Sequence, residues 1–197
     1  MRLASAIAAL ACAVAIAACG DDEGGPISGS GYEFDLPSGW HDASDQAGDL
    51  SEQIGSDIPA GDQGTQYDSV ALDKPVDGFA SNVNVIVQGS LASSVDSRKL
   101  AQSSWRVFLN PELSAQYLPR SLDVVGGPTM IKQIDVGGET GYYFDVDTES
   151  AGRRLTQRFV TVVRDGSGYA TTFSALGDSF DSELDELESI FDSWRWD

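Results

Sequence analysis

The chain contains few of the residues on which enzyme and metal chemistry most often depend. Its 197 residues include two cysteines, one histidine and two methionines. The single histidine, His41, is too little for a transition-metal site, and a serine or threonine nucleophile needs a base close to it. No Walker loop, dinucleotide fingerprint or Gly-x-Ser-x-Gly motif occurs either. We therefore expect no cofactor and no catalytic residues of these classes.

Basic residues are also scarce. The chain has 12 lysines and arginines against 31 acidic residues, and its formal net charge is −19. A nucleic-acid-binding surface needs a basic stripe, so we expect no nucleic-acid partner. Electrostatic attachment to anionic lipid headgroups is disfavoured as well. The acidic residues are dispersed, and we interpret them as a solvated surface or as an adaptation to a salty or acidic surrounding.

The chain has one long apolar run, over residues 3–18, and it is rich in alanine. Arg2 precedes it, small residues end it, and acidic residues follow at once. This arrangement is typical of a secretory signal. The run is shorter than the roughly 20 residues that a membrane-spanning helix needs, so a retained membrane helix is disfavoured.

Cys19 follows an isoleucine and two alanines, as in a bacterial lipobox. The pattern predicts cleavage before Cys19 and attachment of lipid to its thiol; Cys12 matches less well. Two acyl chains suffice for stable anchoring. The mature chain then has no thiol left for a disulfide, a nucleophile or a metal. The alternative is an ordinary secretory signal with an incidental cysteine.

Three segments are predicted along the chain. Residues 1–18 are the signal, residues 19–31 are a lipidated flexible tether rich in glycine and serine, and residues 32–197 form a single domain. The domain has roughly 165 residues, which is enough to bury one hydrophobic core.

Hydrophobic patterning within the domain predicts an α+β fold. Strands are predicted at residues 32–36, 70–72, 82–87, 129–134, 141–147, 153–163 and 169–175. Helices are predicted from Ser93 or Ser94 to Phe108, at 111–118 and at 179–194, and residues 41–66 are a polar loop with one short helix. Strands joined by short turns must be antiparallel, so the helices should pack on an antiparallel sheet.

A short motif at residues 177–180, Gly-Asp-Ser-Phe, resembles the nucleophile block of GDS-type esterases. The late Asp-x-x-His of those enzymes is absent, and His41 is far upstream in sequence. Ser179 is also well placed to cap the last helix. We therefore expect a structural role for this serine.

Alternate carboxylates at Asp145, Asp147 and Glu149 are a candidate Ca²⁺ site, because hard cations prefer oxygen ligands. The glycine expected in a calcium loop is displaced to Gly152. The simpler interpretation is that these carboxylates pair with arginines across the hairpin. The arginines in question are Arg153, Arg154 and Arg158.

The four tryptophans are expected to pack rather than to form a ligand platform. They are Trp40, Trp105, Trp194 and Trp196. Trp196 follows the predicted end of the last helix, so it either lies exposed or folds back as a strand.

From Tyr32 to Trp40 the chain reads Tyr-Glu-Phe-Asp-Leu-Pro-Ser-Gly-Trp, which resembles the opening of PsbP-like domains. The strand at 82–87, the hairpin of 141–147 with 155–163, the strand at 169–173 and the final helix agree with this. The resemblance, with LpqN-type lipoproteins among the relatives, implies an antiparallel sheet with helices on both faces. It implies binding or assembly work, provides no catalytic motif, and matches Gly39 and Trp40 as fold residues.

Together these observations predict a non-enzymatic binding or accessory module. We expect it to lie on the extracytoplasmic face of the cell membrane, anchored by lipid, with a protein or a small envelope ligand as its partner. Two alternatives are an envelope hydrolase with an unrecognised site and a Ca²⁺-responsive domain.

Overall fold

The structure is a computed structural model that describes residues 24–49, 51–52, 67–76 and 78–197. The signal, Cys19 and most of the predicted polar loop at 41–66 lie outside the described residues. The strands are β1 (Pro26–Gly29), β2 (Tyr32–Asp35), β3 (His41–Asp42), β4 (Tyr67–Leu72), β5 (Asn82–Gln88), β6 (Leu122–Val124), β7 (Lys132–Val136), β8 (Glu139–Ser150), β9 (Arg153–Arg164), β10 (Ser167–Leu176) and β11 (Arg195–Trp196). The helices are α1 (Ser97–Leu109), α2 (Pro111–Tyr117) and α3 (Phe180–Ser193), with a 3-10 helix at Ser44–Gln46.

Eight strands form one antiparallel sheet in the order β3-β4-β5-β10-β9-β8-β6, with β7 also pairing with β8. A smaller sheet has the order β1-β2-β11. The α+β class and the antiparallel sheet predicted from the sequence are therefore confirmed.

The large sheet is covered on both faces. Successive side chains of a strand point to opposite faces of the sheet, and here both sets are buried. On β10, Ala170 belongs to the core under α1, while Tyr169 and Phe173 belong to the core under α3 and the small sheet. Helix α1 contacts β8 and β9, and α3 contacts β10, β2 and β7. Helices on both faces, as predicted, are confirmed.

Aromatic side chains fill the middle of both cores. On the α1 side, the Phe159 ring lies 4.7 Å from that of Phe108 and 5.3 Å from that of Phe144. On the other side, Trp194 stacks on Tyr32 and Phe34 at 4.8 and 5.0 Å. Such a pair adds about 0.5–1.5 kcal/mol beyond the area that it buries.

The β8–β9 hairpin is longer than predicted. Its turn is only Ala151–Gly152, with φ of 51° and 74°, and Ser150 pairs directly with Arg153. Two consecutive residues at positive φ suit the twist of a two-residue hairpin turn. The sequence marks such a turn weakly here, because alanine rarely adopts positive φ.

The predicted tether is wrong at its C-terminal end. Residues 26–29 form β1, which pairs with β2 so that Ile27 lies opposite Phe34. Ile27 is fully buried in the core under α3. The folded domain therefore begins before residue 32. Since β1 has only one large apolar residue, its pairing with β2 is what holds it in place.

Two local predictions are also corrected. Helix α1 is capped by Asp96, whose carboxylate accepts a hydrogen bond from the Lys99 N–H at 2.8 Å, and not by Ser93 or Ser94. The strand predicted at 129–134 lies instead at Lys132–Val136, as β7. It begins and ends later than predicted because it continues directly into the Gly137–Gly138 turn.

Candidate binding surface

The carboxylates predicted on β8 meet arginines of β9. The Asp145 carboxylate accepts two hydrogen bonds from Arg158, at 2.7 and 3.0 Å. Asp147 accepts from Arg154 at 2.6 Å and from the Thr156 hydroxyl at 2.8 Å. The predicted pairing across the hairpin is confirmed for these two carboxylates.

Arg158 occupies an enclosed position. It is 8% exposed, and its guanidinium carbon lies 4.4 Å from the Tyr143 ring centroid and 5.6 Å from that of Phe180. Burial by itself lowers the pKa of Arg158, but the hydrogen bonds and charge of Asp145 outweigh it, so the pKa is raised. Arg158 therefore stays charged and holds Asp145 in place.

The surroundings of these carboxylates bear on metal binding and on acid catalysis. Among the described residues, no three histidine, cysteine or acidic side chains come together as metal ligands. The hydrogen bond from Arg154 lowers the pKa of Asp147, whereas a carboxylate acting as general acid needs a raised pKa. Asp145 and Asp147 serve here as partners of arginines.

The Gly-Asp-Ser-Phe motif lies beside the same carboxylates. A cleft of about 390 Å³ is lined by Asp145, Asp147, Asp178 and Arg154 among others. Ser179 precedes α3, but its side chain makes no capping hydrogen bond; its hydroxyl instead donates to the Leu176 carbonyl oxygen at 3.2 Å. Ser179 is therefore the N-cap residue of α3, as predicted, but its hydroxyl does not make the capping hydrogen bond.

His41 does not meet this serine. It lies on β3, three strands from β10 in the sheet. Neighbouring strands are about 4.8 Å apart, so His41 lies on the order of 14 Å from the strand that leads to Ser179. The two residues do not form a nucleophile and base pair in this arrangement.

The tryptophans pack, as predicted. Trp40 is fully buried and donates its indole N–H to the Glu186 carboxylate at 2.7 Å. Trp105 donates to a backbone carbonyl at 2.8 Å. For Trp196 the structure decides between the two alternatives, because it lies in β11, pairs with Tyr32 and donates to the Val136 carbonyl oxygen at 2.9 Å.

A groove that sequence reasoning missed lies at one edge of the large sheet, on the α1 side. It has a volume of about 580 Å³ and runs between α2 and the chain from Leu118 to Gly127, including β6. Leu109 and Val125 line it, and each is 48% exposed. Two of the four large hydrophobic side chains exposed in the described part of the chain therefore line this groove.

The groove borders an edge of β6 with which no strand of the described residues pairs. β6 pairs with β8 on one side and ends the strand order of the sheet. Leu118 and Pro119 bring the chain from α2 into β6, and Gly126-Gly127-Pro128 interrupts the regular pairing with β8. In the sequence, β6 shows only one apolar-polar-apolar alternation, which is too short a signal to predict a strand.

Comparisons with known proteins support the fold and little else. No protein-family model matches the sequence, and no curated protein is a significant match. The solution structure of cyanobacterial PsbP from Synechocystis sp. PCC 6803 is 17% identical, with 91% of this chain and 95% of that chain covered and a TM-score of 0.55. LpqN of Mycobacterium tuberculosis, described as involved in cell envelope biogenesis, is 16% identical, with 87% and 89% covered and a TM-score of 0.48. The chain thus has a PsbP-like fold.

Within residues 24–49, 51–52, 67–76 and 78–197, none of the helices is both long enough and apolar enough to cross a membrane.

Proposed function

We propose that the protein is a lipid-anchored, extracytoplasmic binding module that holds a partner in the groove between α2 and β6. The observation that carries this proposal is the groove itself, about 580 Å³ in volume, with Leu109 and Val125 half exposed in its wall. A concave, largely apolar site with a few polar groups is the usual form of a binding site. Apolar side chains exposed together commonly mark an interaction surface.

The anchor is supported by the sequence before Cys19. A net charge of −19 disfavours attachment to anionic headgroups, so the acyl chains would supply the membrane affinity. Cys19→Ser should release the full-length protein from membranes and remove the mass of the lipid. Unchanged membrane retention together with unchanged mass would exclude lipidation.

A non-enzymatic role is supported by the pairing of the polar side chains. Asp145 and Asp147 are occupied by arginines, and Ser179 donates to a backbone carbonyl. The test is a screen of the full-length protein against esters, glycosides and peptides, from which we expect no turnover. Turnover that a single substitution abolishes would overturn this part of the proposal.

Site-specific cross-linking tests the groove. A photoreactive residue in place of Val125 should form a discrete adduct in the native envelope, because Val125 lies in the groove wall. The matched control is Val76, which is 62% exposed and lies outside the residues that line the groove. Equal adducts from both positions, or none from Val125, would contradict binding at the groove.

A further inference from the structure

We infer that the occupant of the groove is an extended segment of a partner protein, with alternating apolar and basic side chains, that adds to β6 as another strand. The inference rests on the proposed function and names the chemistry of the partner. It combines three observations on β6, which are the edge at Val124 that no described strand pairs with, the apolar groove beside one face and an acidic pair on the other face.

The first observation concerns backbone hydrogen bonds. In an antiparallel pair, only alternate residues of a strand bond to their neighbour. The Val125 N–H donates to the Asp147 carbonyl oxygen at 3.1 Å, so the N–H and C=O of Val124 point away from β8. Such groups on an edge strand are a template for another strand, and several peptide-binding domains use this mode.

The second observation concerns the apolar face. Leu122 and Val124 pack with the core under α1, so they mark the face of β6 on which the groove lies. A residue opposite Val124 on an added strand would place its side chain on that same face, between β6 and α2. An apolar side chain there would cover Leu109, which is 48% exposed.

The third observation is electrostatic. Asp123 lies directly opposite Glu149 of β8, so both side chains are on the other face of the sheet from Leu122 and Val124, and both are exposed. Asp123 also lines the groove, which is therefore open along this edge of β6. Like charges directly opposite each other in a sheet are unfavourable. Among the described residues neither carboxylate has an ion pair, since Arg154, the β9 partner of Glu149, bonds to Asp147. A basic side chain on the added strand, next to Asp123, would relieve this repulsion.

The requirement for an apolar side chain and the requirement for a basic side chain alternate along the added strand. A residue opposite Val124 faces the groove, and its neighbour beside Asp123 faces the acidic pair, so apolar and basic residues must follow each other with a period of two. Arg120, the basic residue of the groove wall, precedes β6 and disfavours a basic residue at that end. An acyl chain would satisfy only the apolar face and leave the strand edge and the acidic pair unused.

The test uses the full-length protein in detergent and two labelled peptides of about eight residues. One peptide alternates valine and lysine singly, and the other has the same composition arranged in pairs. Fluorescence anisotropy should give the singly alternating peptide an affinity at least about tenfold higher, because only that peptide places its charges on one face. The Val124 amide should exchange more slowly with solvent when this peptide is bound, since it would then be hydrogen bonded.

Substitutions decide whether β6 is responsible. Asp123→Lys should weaken binding of the alternating peptide about tenfold, because it places a lysine beside the lysines of the peptide. Asp192→Lys makes the same charge change at an exposed position of α3 and should leave the affinity within about twofold. Equal affinities for the two peptides, or an Asp123→Lys variant that binds as well as Asp192→Lys, would overturn the inference.

The outcome is separable from that of the proposed function. If neither peptide binds while the Val125 adduct with an envelope protein persists, strand addition is wrong and binding at the groove stands. An adduct of Val125 with lipid in place of protein also rejects strand addition.

Discussion

The ion pair between Asp145 and Arg158 offers the sharpest test of how the β8–β9 hairpin is held. Asp145→Asn keeps the size of the side chain and removes its charge. In the structure this leaves the Arg158 guanidinium, which is enclosed by Tyr143 and Phe180, without its charged partner. A charge left unpaired inside a protein is much more costly than the net contribution of the pair itself.

The magnitude follows from the burial of the two side chains. Removing one member of a buried pair costs about 3–5 kcal/mol. The Arg158 and Asp145 side chains are 10% and 17% exposed, so water screens the pair slightly and the lower end of this energy range applies. We expect a loss of about 3 kcal/mol in the free energy of unfolding, or about 6–12 °C in Tm for a chain of this size.

Urea denaturation followed by tryptophan fluorescence, in the presence of a chelator, measures this loss. Glu149→Gln, an exposed carboxylate on the same strand, is the control and should change stability by less than about 0.5 kcal/mol. Combining Asp145→Asn with Arg158→Met should cost less than Asp145→Asn alone, because no buried charge then remains. The reasoning is refuted if Asp145→Asn costs below about 1 kcal/mol, or if Ca²⁺ stabilises the wild type and not this variant.

Two further predictions concern other polar groups. Hydrogen bonds from Arg195 lower the pKa values of Glu33 and Asp35, so these carboxylates stabilise the fold above their unfolded pKa values and lose that contribution as the pH falls through their folded values. Thermal unfolding of Arg195→Met should therefore show a smaller loss of Tm than the wild type from about pH 5 to about pH 3, and an equal loss would contradict this. The Thr172 hydroxyl is buried without a hydrogen-bond partner in the described part of the chain, so Thr172→Val should stabilise by about 1 kcal/mol in urea denaturation. Ser174→Ala should instead destabilise, because Ser174 accepts a hydrogen bond from a buried glutamine, and the opposite pair of signs would contradict both assignments.

Much of the fold could be predicted because the relevant signals are local. Alternation at residues 32–36 and 82–87 predicted β2 and β5, and the one-sided apolar pattern after Ser179 predicted α3. The turn at Ala151–Gly152 could not be predicted from local signals, because the positive φ at the alanine is imposed by the strands on either side. β1 shows it again, since a short segment rich in glycine and serine becomes a strand only when β2 lies beside it.

The features of the candidate site also fall into those that the sequence predicted and those that it did not. The charges of Asp145 and Asp147 and the arginines that follow predicted their pairing, because a hairpin brings nearby residues together. The groove gave no such signal. Leu109 ends α1, Val125 follows β6, and the free edge of β6 exists only once the strand order is known.

The sequence by itself predicts export and lipid attachment at Cys19, and it determined the acidic charge and the class of fold. These depend on composition, on order and on patterns with a short period, which a linear chain carries completely. The tertiary structure alone decided that β1 belongs to the domain, that Trp196 forms a strand, and that an apolar groove, a free strand edge and the Asp123–Glu149 pair meet at one place. Those features depend on contacts between residues that are distant in sequence, and packing of the whole chain is what brings them together.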